Sequence, residues 1–128
     1  MEKDTILIVD DNPVNMKLIR ILLTGEGYDV RTAADAKEAI EVLTAVHPSL
    51  ILMDIQLPGI DGLELTRRLK AEPTTRDITI VGLTAYAMKG DEERILGAGC
   101  AGYIAKPINT RIFIDCIKGY LARRAAHY

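Results

Sequence analysis

Five side chains capable of chemistry each stand directly after, or within one residue of, an apolar run. Asp10 and Asp11 follow Thr5–Val9, Asp54 follows Leu50–Met53, Thr84 follows Ile78–Leu83, and Lys106 follows Ala101–Ala105. Gathered at one end of a common scaffold, they bring three carboxylates, a hydroxyl and an ammonium together. Crowded carboxylates repel, and one takes up a proton unless a cation is supplied. A hard divalent ion such as Mg²⁺ answers that need, because it takes oxygen ligands and few protein carboxylates. Lys106 adds a further positive charge. Such a set suits phosphoryl transfer to a carboxylate, a reaction carried by positioning and charge neutralisation. Singly, each residue has an ordinary explanation: helix capping for Asp10–Asn12, a turn for Asp54, a strand end for Thr84, solvation for Lys106. Their joint placement is what argues for a site.

The scaffold that would gather them is legible in the patterning. The runs Thr5–Val9, Leu50–Met53 and Ile78–Leu83 are nearly continuous in Ile, Leu and Val, as strands covered on both faces are. Asp29–Ala33 alternates and suits an edge strand. Between the runs lie helical patterns. Val14, Leu18, Ile21 and Leu22 recur at helical spacing, with Pro13 at a first helical position, Asn12 or Asp11 as cap, and Gly25 and Gly27 at the exit. Asp35 with Glu38, and Asp61 with Glu64, have capping-box spacing and open helices over Ala36–Val46 and Gly62–Ala71. Residues 85–98 form the thinnest stripe, Met88, Ile95 and Ala98, broken by Gly90 and Gly97. A last helix follows Asn109. Strict alternation of five strands and five helices predicts an α/β, flavodoxin-like (βα)5 fold. Its doubly wound parallel sheet has the order 2-1-3-4-5 and right-handed crossovers. In such sheets ligands bind outside the carboxyl ends of the strands, which is where the five side chains fall.

The bulk properties agree with one domain spanning residues 1–128 and no output domain. An apolar fraction of 48% and a charged fraction of 27% exclude disorder and a disulfide scaffold. No apolar run reaches the roughly 18 residues that a membrane helix needs, and no signal peptide opens the chain, so a cytoplasmic place and no membrane partner are expected. A net charge of −2 leaves no basic footprint for nucleic acid. The charge is uneven, however. Residues 1–64 hold 5 basic and 12 acidic residues (net −7), and residues 65–128 hold 11 and 6 (net +5). Acids contributed early and a base contributed late fit that asymmetry. Cys100 and Cys116 read as buried, inert thiols, and His47 and His127 as solvated. Gly97-Ala98-Gly99-Cys100-Ala101-Gly102 matches a dinucleotide fingerprint but closes a helix instead of opening one, so it reads as a helix C-cap and turn.

From Ile6 to Leu121 the chain resembles the receiver domains of two-component response regulators. The resemblance rests on Ile6-Leu-Ile-Val-Asp10-Asp11-Asn, Leu50-Ile-Leu-Met-Asp54-Ile-Gln-Leu-Pro58-Gly-Ile-Asp-Gly62, Gly82-Leu-Thr84-Ala85 and Tyr103-Ile-Ala-Lys106-Pro107, all in order and at matching spacing. It implies that Asp54 is the phosphoacceptor. Asp11, Asp54 and the main-chain carbonyl of Gln56 would bind Mg²⁺, with Asp10 acting directly or through water. It further implies that Thr84, Ala85 and Lys106 meet the phosphoryl group and that Tyr103 is an aromatic switch whose position follows Thr84. The Lys106–Pro107 peptide is expected to be cis.

The function so read is a stand-alone receiver that takes a phosphoryl group from a histidine kinase or histidine phosphotransfer protein. It would signal through a downstream protein bound by residues 85–121, where Ile112, Phe113 and Ile114 widen the apolar stripe, or pass the phosphoryl group on. It is not read as an enzyme beyond self-dephosphorylation. Two alternatives stand beside it: a receiver excised from a hybrid histidine kinase, and a small Mg²⁺-dependent phosphohydrolase. The second needs a general acid two residues after the nucleophile, where this chain has Gln56.

Overall fold

Ile6, Leu7, Ile8 and Val9 are all buried although their side chains alternate between two faces, so their strand is covered on both sides. The same holds for Leu50–Met53 and for Ile80, Val81 and Leu83. The computed structural model describes residues 4–57, 61–85 and 89–126. In order these form β1 (Thr5–Val9), α1 (Pro13–Gly25), β2 (Asp29–Ala33), α2 (Ala36–Ala45), β3 (Leu50–Asp54), α3 (Gly62–Ala71), β4 (Thr79–Thr84), α4 (Lys89–Ala98), β5 (Gly102–Ala105) and α5 (Phe113–Ala126). All pairings are parallel and the strand order is β2-β1-β3-β4-β5. Both edges are thus β2 and β5, and the sequence order reverses beside β1, between β1 and β3.

The sheet divides the core. Leu7, Val9, Ile51, Met53 and Ile80 face the layer of α2, α3 and α4, joined by Leu65, Leu69 and Ile95. Ile6, Ile8, Leu50, Leu52, Val81 and Leu83 face α1 and α5, joined by Ile19, Leu23, Phe113 and Ile117.

Local signals place the helices. Asn12 caps α1 by accepting from the amides of Val14 and Asn15, and Pro13 stands at the start. The alternative cap, Asp11, belongs to the acidic cluster at the strand ends. Asp35 accepts from the Glu38 amide while the Glu38 carboxylate reaches back to the Ala34 amide, both at 2.8 Å. At α3 the cap is one-sided: Asp61 accepts from the Glu64 amide, but the Glu64 carboxylate lies with Arg67 and Arg68. The glycine-rich stretch after α4 is a helix end. Gly99 has φ +114°, its amide bonds the Leu96 carbonyl, and the Cys100 amide bonds that of Ile95.

Three expectations need adjustment. The last helix starts at Phe113 rather than after Asn109. The Asn109 side chain takes the Arg111 amide and its carbonyl takes those of Ile112 and Phe113, so a turn precedes the helix. Ile114 packs on the α1–α5 layer, so the wide stripe belongs to the core at that position. Cys100 is buried but Cys116 only partly so. Met88 and His127 lie outside the described residues.

Candidate functional site

The carboxyl ends of β1 and β3 are adjacent, because Val9 lies opposite Met53. Asp10 and Asp54 therefore leave the sheet side by side. Each carboxylate is fixed by its own chain: Asp10 Oδ1 accepts from the Asn12 amide at 2.9 Å, and Asp54 Oδ1 from the Gln56 amide at 3.0 Å. These two-residue loops are the turns that aspartate forms at strand ends. They leave the two Oδ2 atoms directed at one another's neighbourhood. Asp11, exposed at the rim, completes a cluster in which one oxygen from each of the three aspartates lies within 4.8 Å of the others.

Lys106 enters from β5. Its amide is held by the Thr84 carbonyl at 2.8 Å, and the Lys106–Pro107 peptide is cis. Its Nζ lies 3.3 Å from Asp54 Oδ2 and 3.5 Å from Asp10 Oδ2. The pocket is shielded, with Asp10 at 0% and Asp54 at 2% exposure. Among the described residues Asp10 Oδ2 nevertheless has no hydrogen-bond partner: Lys106 faces it as a charge and not as a well-formed donor. Burial raises the Asp10 pKa above the ordinary carboxylate value. The Asn12 amide opposes that rise, the Asp54 charge adds to it, and Lys106 opposes it. A buried carboxylate oxygen without a donor, inside an all-oxygen cluster, fits a hard divalent cation.

Thr84 ends β4, buried, next to a cavity of about 250 Å³ that it lines with Ile55, Gln56, Asp61, Leu63, Asp91, Arg94 and Ile95. Ala85, after it, is exposed. Tyr103 is half-buried on β5 and packs on the layer of α3 and α4. A larger groove of about 680 Å³ runs along α1 and contains none of these residues. Asp10, Asp11 and Asp54 thus meet in one cluster, Lys106 contacts Asp10 and Asp54, Gln56 bonds Asp54 and shares a cavity with Thr84, and Tyr103 packs in the layer of α3 and α4.

Gly62 is part of the machinery in a way its bare sequence does not show. A Cβ there would lie 2.9 Å from the Asp54 carbonyl carbon and 2.9 Å from Ile55 Cα. Only glycine lets α3 start against the segment that carries Asp54. Its amide also bonds the Ile55 carbonyl at 3.0 Å. The signal in the sequence is the Asp61-Gly62 pair, which by itself reads as a cap alone.

A flavodoxin-like sheet with an acidic pocket and a lysine at its switch-point edge defines a class of α/β signalling domains. Residues 6–118 match the response regulator receiver domain, and the chain belongs to that family. Among its relatives is the polar-differentiation response regulator DivK of Brucella abortus. It is 49% identical over 117 residues, covering 91% of this chain and 95% of the relative. A CheY-like receiver domain protein from Methanospirillum hungatei is similar in structure, with a TM-score of 0.90, 31% identity, and 99% and 100% of the two chains covered. So is the receiver domain of a sensor histidine kinase from Pseudomonas aeruginosa. There the TM-score is 0.85 and the identity 36%, over 94% and 99% of the chains, and that structure holds a magnesium ion coordinated in its active-site cleft. The family places this chain in signalling. Among the described residues no helix is long and apolar enough to cross a membrane.

Proposed function

We propose that Asp54 accepts a phosphoryl group from a phosphohistidine on a histidine kinase or phosphotransfer protein, with Mg²⁺ as cofactor, in the cytoplasm. The observation that carries this reading is the pairing of a buried Asp54 Oδ2 with the Lys106 ammonium at 3.3 Å beside the donorless Asp10 Oδ2. The Gln56 amide on Oδ1 holds the Asp54 carboxylate in one orientation and directs Oδ2 into the pocket. In the transfer, Oδ2 forms the bond to phosphorus as the phosphorus–nitrogen bond of the donor breaks. Lys106 neutralises charge on the incoming phosphoryl oxygens, and the Thr84 hydroxyl and Ala85 meet the same group. Asp10, Asp11, Asp54 and the Gln56 main-chain carbonyl are the groups that would hold the cation, which supplies neutralisation of the phosphoryl charge. Hydrolysis of the aspartyl phosphate within the same pocket is the one reaction the domain would perform by itself.

The signal would leave through protein contacts. Among the described residues between 85 and 121 the large apolar side chains that stand exposed are Leu96 and Ile112, and they mark the proposed surface for a downstream partner. Val14, 74% exposed at the start of α1, lies three residues after Asp11 and is placed to meet a donor.

Incubation with a small phosphodonor and Mg²⁺ should add one hydroxylamine-labile phosphoryl group, and Asp54→Asn should abolish it. Full labelling of the Asn variant would refute the assignment.

A further inference from the structure

β5 is a free edge of the sheet, paired with β4 alone. Successive amides along a parallel strand turn to opposite sides. The Lys106 amide is spent on Thr84 of β4. The Tyr103 amide, three residues earlier, therefore turns to the open side. Edge amides of this kind ordinarily go to water or invite another strand. Beside this one, against Gly102, lies the phenol hydroxyl of Tyr120 on α5.

The phenol reaches the edge because residue 102 has no side chain. A Cβ at Gly102 would lie 2.8 Å from Tyr120 Cζ and 2.9 Å from Cε1, closer than real contacts allow. The ring is secured on both sides. Its body packs on the α1–α5 layer, and the Arg123 guanidinium stands 5.2 Å from its centroid.

Tyr103, next to Gly102 on this strand, has its side chain in the opposite layer, against α3 and α4. Farther along the same strand, Lys106 faces Asp54 and Asp10. The strand and the residue after it are thus met at three points: by the carboxylates at Lys106, by the packing of Tyr103, and by the phenol of Tyr120 at Gly102. We infer that Tyr120 is a positioning residue whose hydroxyl accepts the Tyr103 amide and ties the free edge of β5 to α5, so that a displacement of β5 begun at Lys106 is handed to the C-terminal helix. The origin of the displacement rests on Asp54 being the phosphoacceptor; the tie itself does not.

Tyr120→Phe tests the tie in the full chain, since it keeps the ring and deletes the hydroxyl. The Tyr103 amide should be protected from hydrogen exchange in the wild type and should exchange roughly two- to tenfold faster in the variant, the range expected for loss of one hydrogen bond. The Ile104 amide should not change. With beryllofluoride and Mg²⁺ as phosphoryl mimic, amide shifts over residues 116–123 should fall to roughly half in the variant while those at Asp54 and Thr84 persist. Gly102→Ala, which evicts the ring from its notch, should reproduce both effects in a chain that a thermal melt shows to be folded. Equal exchange of the Tyr103 amide in wild type and Tyr120→Phe overturns the tie. An undiminished α5 response to beryllofluoride overturns the hand-over. If beryllofluoride leaves Asp54 of the wild type unshifted, the phosphoacceptor reading is what fails, and the exchange comparison still decides the tie.

Discussion

Two partly buried lysines stand at opposite ends of the sheet in opposite circumstances. Lys70, near the end where the strands begin, gives its ammonium to the carbonyls of Ile78 at 2.6 Å and Arg76 at 3.1 Å. Its stem lies against Gly99, where a Cβ would come within 2.7 Å of Lys70 Cγ. Burial lowers its pKa, and the nearby Cys100 and Asp77 only partly oppose this. Lys106, at the other end, has two carboxylates at 3.3 and 3.5 Å and a third in the cluster beyond. Lys70 caps two backbone carbonyls, that of Ile78 part-buried and that of Arg76 at the surface. Lys106 leaves an excess of negative charge. One end of the sheet sets its ammonium on backbone carbonyls, and the other gathers three carboxylates around one ammonium.

The largest effect should come from the Lys70 end. Lys70→Met takes the donor from the part-buried Ile78 carbonyl and should cost about 2 kcal/mol, or roughly 8 °C in Tm. Phosphoryl labelling of Asp54 should stay intact. An unchanged melt would break the comparison. The acidic end should respond to a cation: Mg²⁺ at about tenfold over its Kd should add about 1.4 kcal/mol, read as a rise in Tm. Asp11→Ala should remove most of that rise, and a wild type indifferent to millimolar Mg²⁺ would refute the cation site. Lys106→Met sharpens the contrast through pH. The Asp10 pKa is already raised in the fold, and without the ammonium it rises further. A raised carboxyl pKa favours folding at pH values below the unfolded value and withdraws that support as pH climbs through the folded one. The variant should therefore match the wild type near pH 4 and lose about 1 kcal/mol by pH 8, measured by urea titration at both. A pH-independent loss would mean that Lys106 acts by packing. The smallest effect belongs to His47, whose Nε2 lies 3.1 Å from Asp77 on an exposed surface. His47→Ala should shift stability by about 0.3 kcal/mol or less in the same titration.

The alternation of elements and the placement of Asp10, Asp54, Thr84 and Lys106 are legible in the sequence because strand ends in a parallel sheet share one edge. The residues immediately after each apolar run are that edge. Contacts that join distant positions through space leave no such trace. His47 reads as solvated until Asp77, thirty residues on, comes beside it. Gly62 and Gly102 look like turn residues, but their roles are set by the backbone of Asp54 and the ring of Tyr120. The start of α5 is misread from the sequence because Asn109 has the chemistry of a cap and spends it on a separate turn. Asn12 and Asp11 are equivalent as caps until the cluster claims Asp11.

The sheet also acts as a wall between two interiors. Ile6 and Ile8 face one and Leu7 and Val9 the other, and each layer gathers its own helices. Substitutions in separate regions without shared partners act nearly additively. A change at Leu69 and one at Ile117 should therefore be felt independently, and each interior is free to drift in sequence without compensation from the other. A change at Tyr103 is different, because its side chain lies in one interior while Tyr120 of the other reaches the same strand at the neighbouring Gly102. Variation at that position should be answered on both sides of the wall.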